Sequence, residues 1–276
     1  MACLLEAASE KPGNVTPTRG FDGLDFTSFL LSSQILGDVF RRNADKSVGT
    51  IIHEAVSESV KATGTNVHLG VILLLAPLAH SFCRHGTLSR KSVSSTLAAL
   101  TVMDARLAYK AIRAARPGGM GKAPRQDIRK KPDVNLLEAM RLAEDRDWIA
   151  FEYTSGFSIT FGLGAVEMKE NIDSGLPPRE AVAQTFLGVM SRYPDSLIAR
   201  KNGPEMARRA AEEAGRILGL GGMFSPRGRK AVYEFDQALR IGSNLLNPGT
   251  TADLTAASLF VYFMKHGYTA LKTKKG

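Results

Sequence analysis

The sequence is short of most features that mark specialised protein classes. Two cysteines, Cys3 and Cys83, occur in 276 residues. Their positions suit neither a disulfide framework nor a cysteine metal site, which points to a reducing compartment. Aromatic residues make up 7% of the chain, and none follows Tyr109 in the basic run that ends at Lys131. That run therefore lacks the stacking platform of a single-strand-binding surface. No apolar stretch approaches the roughly 20 residues that span a bilayer. Val71 to Leu78 is strongly apolar, but His68 and His80 flank it closely, so it reads as a buried helix. The opening stretch MACLLEAASEKPGN is too short and too acidic for a signal peptide, since Glu6 interrupts its apolar run. Sustained apolar/polar alternation between hairpin turns is missing, and with it any sign of a sheet. The expectation is a cytoplasmic, all-α protein that does not enter a membrane.

What is present is helical periodicity. Apolar residues recur at three- and four-residue spacing over 26–42, 47–62, 66–83, 89–115, 134–147, 148–174, 178–192, 204–218, 226–243 and 250–266, with a kink expected near Gly162 and Gly164. This gives a bundle of about ten helices. Pro178, Pro204 and Pro226 each stand where a helix can begin, because the missing N–H would be unpaired there anyway. The segment 116–133 is the one good linker candidate, a basic Gly/Pro-rich loop. Helices on both sides are too amphipathic to stand alone, so residues 1–276 are expected to form a single domain. The formal net charge is +9, with much of the excess in Arg106–Lys131 and in the terminal LKTKKG. A basic balance can serve nucleic acid, a membrane surface or an anionic small molecule, but for charge not tied to a motif a solvated loop and tail is the favoured reading.

Three polar, glycine-containing segments interrupt the helices, each at an expected helix start: Lys11-Pro12-Gly13-Asn14-Val15, Thr63-Gly64-Thr65-Asn66-Val67-His68-Leu69-Gly70, and Asn247-Pro248-Gly249-Thr250-Thr251-Ala252-Asp253-Leu254. A helix start offers unpaired N–H groups and partial positive charge, and glycine lets a phosphate approach the backbone. Several such ends together, with Lys11 beside them, would make a polyphosphate cradle. Each segment also has a plain structural explanation. Thr250-x-x-Asp253 is close to a capping box, Asn66 could be an N-cap, His68 a hydrogen-bonded core histidine, and Lys11 a solvated side chain. None matches the Walker A or dinucleotide pattern.

As an ordered set spanning nearly the whole chain, KPGNV, GTNVHLG and NPGTTADL resemble the signature blocks of the triphosphoribosyl-dephospho-CoA synthase family, in a divergent branch. The resemblance implies an all-α fold and a transfer in which the 2′-hydroxyl of 3′-dephospho-CoA attacks the ribose C1 of ATP and expels adenine. Lys11, Gly13 and Asn14 match the first block, Asn66, His68 and Gly70 the second, and Gly249 and Asp253 the third. His68 is the implied general base, since a group of near-neutral pKa suits proton removal from a hydroxyl. Asp253 is the implied carboxylate against oxocarbenium charge. Thr250, Thr251, Arg200 and Lys201 join the phosphate-binding candidates, and Asp195 lies beside the latter two. Mg²⁺ is expected with ATP, bridging triphosphate oxygens to carboxylates. Asp22, Asp25 and Asp253 are the candidate ligands, and Glu144, Asp145 and Asp147 a second acidic cluster.

The chain departs from the family pattern at Phe21-Asp22-Gly23-Leu24, where a His-x-Asp-Met sequence is usual, and at Leu69, where a lysine is common. These departures keep open an alternative acceptor, another phosphorylated substrate in the assembly of a one-carbon (methanofuran/methanopterin-type) cofactor. A basic helical nucleic-acid-binding module is the third reading, and it leaves the three blocks unexplained. The expected partners are thus ATP and a phosphorylated small-molecule acceptor, with no membrane or nucleic acid, and a homodimer is compatible with the sequence.

Overall fold

The computed structural model describes residues 1–242 and 244–268. Ser243, at the end of an expected helix, and the basic LKTKKG ending lie outside the described residues. Among these residues the chain is all-α, with fourteen α-helices and no strand. The nearest approach to β-structure is a pair of isolated bridges, Thr16 with Arg19 and Phe21 with Leu24.

The chain divides into two compact units, one of residues 1–26 with 159 onward, the other of residues 27–158. The first unit contains α1 (Ala2–Ala8). The second contains α2 (Phe26–Asn43, whose first residue belongs to the first unit), α3 (Val48–Thr63), α4 (Leu69–His85), α5 (Arg90–Ala98), α6 (Val102–Ala115), α7 (Leu136–Arg141) and α8 (Trp148–Ser155). The first unit resumes with α9 (Ala165–Asp173), α10 (Pro178–Arg192), α11 (Ser196–Asn202), α12 (Pro204–Gly219), α13 (Pro226–Leu239) and α14 (Gly249–His266). The 116–133 segment falls inside the second unit, not at the division. Tyr109 Oη donates to Gln126 O at 2.7 Å and Arg113 to Ile128 O at 2.7 Å, so its backbone is tied to α6.

Pro178, Pro204 and Pro226 do open helices. The expected helix over 89–115 is two, because Thr101 and Asp104 form a capping box that starts α6 afresh. Asp104 also accepts from Gly49 N at 2.7 Å at the start of α3. Burial opposes ionisation of Asp104, but the hydrogen bonds from Thr101 and Gly49 outweigh it and hold the carboxyl below its usual range. The expected helix over 148–174 is interrupted at Gly156 (φ +66°) and by a π-helical turn at Thr160–Gly164.

The first unit packs α10, α11, α12 and α13 around Phe186, Leu187, Met190, Ile198, Ile217 and Phe235. On α12 the inner face is Ala207, Ala210, Ala211, Ala214 and Ile217, while Arg208 pairs with Glu205 and Glu212 on the outer face. This is the charge and apolar pattern of an amphipathic surface helix.

In the second unit, α4 is buried along Val71–Leu78, as its composition anticipates. It carries Pro77 in its interior, and a proline there leaves the carbonyl four residues earlier without its helical donor. That carbonyl belongs to Leu73, and Tyr153 Oη of α8 donates to it at 2.6 Å. Tyr153 is 1% exposed, and burial pushes its phenol pKa up, so it stays a donor at any ordinary pH. Tyr153→Phe should strand a buried carbonyl and lower stability by about 1–3 kcal/mol. Denaturant midpoints of the two proteins check this, and equal midpoints would show that the bond contributes nothing.

Candidate functional site

The first and third signature blocks meet in the first unit. Gly13 lies at φ +71°, and a Cβ there would stand 2.9 Å from both Leu239 Cβ and Pro248 Cδ, so only glycine fits. Its N–H donates to Asp236 Oδ1 at 2.9 Å and its carbonyl accepts from Asn247 Nδ2 at 2.7 Å. The Asn14 side chain donates to Pro12 O at 3.1 Å, and its backbone carbonyl accepts from Arg240.

Asp236 on α13 organises this loop. Besides Gly13 N it accepts from Arg19 at 2.6 Å and from Arg240 Nε at 2.9 Å. The two guanidiniums also lie over rings, Arg19 over Tyr233 and Arg240 over Phe21, each 4.9 Å from the centroid. Sequence reasoning missed Asp236. Its signal was present: Val232, Phe235, Asp236 and Leu239 share the buried face of α13, and a carboxylate on such a face needs partners.

Lys11 is not solvated. It is 1% exposed, its ammonium lies 3.1 Å from Glu6 Oε1, and it donates to Ser9 O at 3.0 Å and to Glu6 O. Burial lowers its pKa and raises that of Glu6, each opposed by the charge of the other. Its charge is thus engaged by the Glu6 carboxylate and by the Glu6 and Ser9 carbonyls at the end of α1, and Lys11 also lines an adjoining pocket.

In the third block, Gly249 begins α14, and the Thr250/Asp253 pair forms no capping box, since the N-cap is Pro248 with no side-chain cap. A residue from another helix does the capping. Asp195, 0% exposed, accepts from Thr251 N at 2.7 Å and Thr251 Oγ1 at 2.8 Å, and also from Leu197 N and Ile198 N at 2.8 and 2.9 Å. One carboxylate therefore satisfies two helix starts, α11 and α14. Burial raises its pKa against the pull of these bonds. Thr250 Oγ1 accepts from Ser196 Oγ at 3.0 Å. Thr251 N, which the sequence offered to phosphate, is thus already satisfied by the protein. Lys201 donates to Asn244 O at 3.0 Å, and Arg200 is half-buried on α11.

Asp22 and Asp25 are exposed around the Phe21–Leu24 turn, and Asp253 is half-buried in α14. Among the described residues no group of three or more His, Cys, Asp or Glu side chains is placed to hold a metal ion. In the second acidic cluster, Asp147 is the N-cap of α8, accepting from Ile149 N at 2.9 Å.

The middle block lies in the second unit. Asn66 Oδ1 accepts from Leu69 N at 3.1 Å, which starts α4, and Gly70 sits half-buried in the first turn. His68 is 2% exposed. Its Nδ1 lies 2.8 Å from Ser32 Oγ, which is 2.7 Å from Ser59 Oγ, and both serines are buried. The Phe29 ring meets the imidazole edge-on at 5.1 Å. His68 Nε2 is buried and has no hydrogen-bond partner among the described residues. A buried polar atom left unpaired is uncommon and calls for an explanation in strain, catalysis or a ligand. Burial lowers the His68 pKa from 6.5 to about 4, so the ring is neutral at physiological pH. The near-neutral base expected from sequence is therefore displaced downward by desolvation.

The first unit also holds a pocket of about 490 Å³ that sequence reasoning did not foresee. Arg19, Arg179 and Arg229 line it together with Glu180, Tyr233 and Asp236.

Comparison with known proteins adds an independent line. Residues 1–271 match the family model described as CitG: ATP:dephospho-CoA triphosphoribosyl transferase. A Pseudomonas fluorescens protein, provisionally named 2-(5''-triphosphoribosyl)-3'-dephosphocoenzyme-A synthase, is 27% identical over 226 residues, covering 80% of this chain and 69% of its own. A Pectobacterium atrosepticum protein bearing that name without qualification is 30% identical over 111 residues, 40% of this chain and 35% of its own. A crystal structure from Archaeoglobus fulgidus, provisionally assigned as a triphosphoribosyl-dephospho-CoA synthase, superposes with a TM-score of 0.67 at 29% identity. It matches 86% of this chain and 99% of that one. These relatives favour neither the one-carbon cofactor reading nor the nucleic-acid reading.

Proposed function

Because the chain belongs to the CitG family of ATP:dephospho-CoA triphosphoribosyl transferases, we propose that it transfers the triphosphoribosyl group of ATP to the 2′-hydroxyl of 3′-dephospho-CoA. The family match over residues 1–271 carries this reading. In the proposed step the 2′-oxygen bonds to the ribose C1 of ATP as the bond from C1 to the adenine nitrogen breaks. Adenine leaves with a proton, and the triphosphate stays on the transferred ribose.

The geometry around His68 suits proton removal. If Nδ1 carries the ring proton and donates to Ser32 Oγ, which donates onward to Ser59 Oγ, the Nε2 lone pair is free to accept the hydroxyl proton. Burial makes the ring a weak base, and the negative charge of a polyphosphate substrate works in the opposite direction. Asp253 is proposed as the carboxylate that balances positive charge on the ribose carbon. Among the described residues no cluster of three acids or histidines offers a ready-made cage for Mg²⁺. We therefore treat the ion as part of the substrate, arriving on the triphosphate oxygens, an arrangement this ion commonly adopts.

Ser32 follows as a positioning residue. Ser32→Ala should lower kcat by about tenfold or more, the usual range for an outer partner of a functional histidine, with a smaller change in KM. A structural role alone would lower stability and leave kcat of the folded fraction intact. Incubation with ATP and 3′-dephospho-CoA, followed by mass spectrometry, tests the reaction. Free adenine and a triphosphoribosylated product are expected in equal amounts, and release of only phosphate or pyrophosphate would contradict the proposal.

A further inference from the structure

We propose that the pocket of the first unit seats the polyphosphate of a nucleotide, with Arg179 as its main cation and Arg19 and Arg229 beside it. The identity of the ligand rests on the transferase reading, in which both substrates are adenosine polyphosphate esters. The existence of an anion site rests on the pocket itself.

The lining offers more donors than the protein uses. Arg179 forms no ion pair or hydrogen bond among the described residues, so its five N–H groups are uncommitted. The carboxylates opposite are engaged. Glu180 forms an ion pair with Arg229 at 2.7 Å and accepts from it through Oε1 at 3.2 Å, and Asp236 accepts from Gly13 N, Arg19 and Arg240. Two arginines share the single charge of Asp236, and Lys11 is neutralised by Glu6, which leaves the pocket with a positive excess. Glu10, exposed at the same pocket, is the one lining carboxylate without such a partner. It disfavours an anion on its own side and leaves the arginines as the seat.

The placement supports the same assignment. Arg179 stands in the first turn of α10 and Arg229 in that of α13, where partial positive charge adds to the guanidiniums. The field of Arg179 reaches inward, where it joins burial in lowering the Lys11 pKa against the opposing charge of Glu6. Planar guanidiniums suit bidentate grip of phosphate. Pro12, Ala183, Met223 and Val232 supply an apolar wall for the uncharged part of the ligand. A volume of about 490 Å³ lies within the usual range for small-molecule sites.

Of the phosphate candidates read from sequence, Lys11 is the one that lines this pocket. The structure encloses that ammonium and sets arginines from three separate segments in front of it. Nothing in their spacing, at 19, 179 and 229, announces a shared site.

Calorimetric titration of the whole chain tests the inference, with sodium tripolyphosphate, ATP and 3′-dephospho-CoA as separate probes. Arg179→Glu removes the uncommitted cation from an exposed, unpartnered position, so the fold should persist, with circular dichroism as the check. Arg227→Glu, an exposed residue outside the lining, is the charge control. Tripolyphosphate should weaken about ten- to a hundredfold in R179E, the worth of a charge-assisted hydrogen-bond pair, and stay unchanged in R227E. Whichever nucleotide occupies the pocket should weaken in parallel, which tells ATP from dephospho-CoA. Tripolyphosphate that fails to bind the wild type, or that binds R179E equally well, would overturn the site even if the wild type releases adenine. Loss of tripolyphosphate binding in R179E, together with a wild type that releases no adenine, would uphold the pocket and sink the reaction.

Discussion

His68→Gln is expected to lower kcat by about 10²- to 10⁴-fold, the usual contribution of a positioned general base, while the helical content stays that of the wild type. Glutamine keeps a polar group of similar reach but has no ring nitrogen that can take a proton. The acidic limb of kcat/KM in the wild type should fall near pH 4, following the lowered His68 pKa, instead of near 6.5. Stability should show the same group with a definite sign. The folded state holds the imidazole neutral down to about pH 4, whereas the unfolded chain protonates it near pH 6.5. The unfolded state therefore binds the extra proton between those two values, and folding free energy is lost as pH falls through that window. The loss should approach about 3 kcal/mol. In His68→Gln this part of the pH dependence disappears, which thermal midpoints at pH 7 and pH 4.5 can show. Near-native turnover in the variant would reduce His68 to a core histidine.

Asp236→Ala carries the second large effect. It leaves the Gly13 N–H without its acceptor and strips a carboxylate from Arg240, whose side chain is 15% exposed. Removing one member of a buried charged network commonly costs about 3–5 kcal/mol. The lower end, about 3 kcal/mol, is expected here because Arg19 can turn to water. The damage should be local before it is global. Residues 12–21 are tied down mainly through Asp236 and Arg240, so amide exchange there should accelerate before exchange in α10 or α12. Uniform acceleration across the first unit would contradict a local role.

Helix content, the proline-started helices and the buried 71–78 stretch were all legible, because each depends on periodicity or on a local rule. Helix ends set by partners distant in sequence were not. Thr251 at the start of α14 is capped by Asp195, and no pattern in 247–254 could reveal a carboxylate 56 positions away. The Thr101/Asp104 box, in contrast, was readable as a break in the helix expected over 89–115, and periodicity alone hid it. Helices α1 and α11, seven residues each, are shorter than the window in which a helical period can be recognised.

The candidate site shows the same division. Parts of two signature blocks, 11–14 and 247–248, do adjoin. Lys11, Gly13, Thr250 and Thr251 are largely committed to protein partners, and the pocket beside Lys11 is lined by Arg179, which sequence reasoning did not single out. Burial decides this, because an enclosed lysine must find a carboxylate, and neither its enclosure nor Glu6 as its partner is visible in the KPG motif.

The catalytic role proposed for His68 turns on its being neutral, fixed through Ser32 and unpaired at Nε2 among the described residues. Imidazole ¹⁵N chemical shifts, followed by NMR between pH 4 and 8, measure this directly. A single neutral tautomer, protonated at Nδ1 and holding until the pH nears 4, is the predicted result. An imidazole that titrates near pH 6.5, or whose proton resides on Nε2, would contradict it.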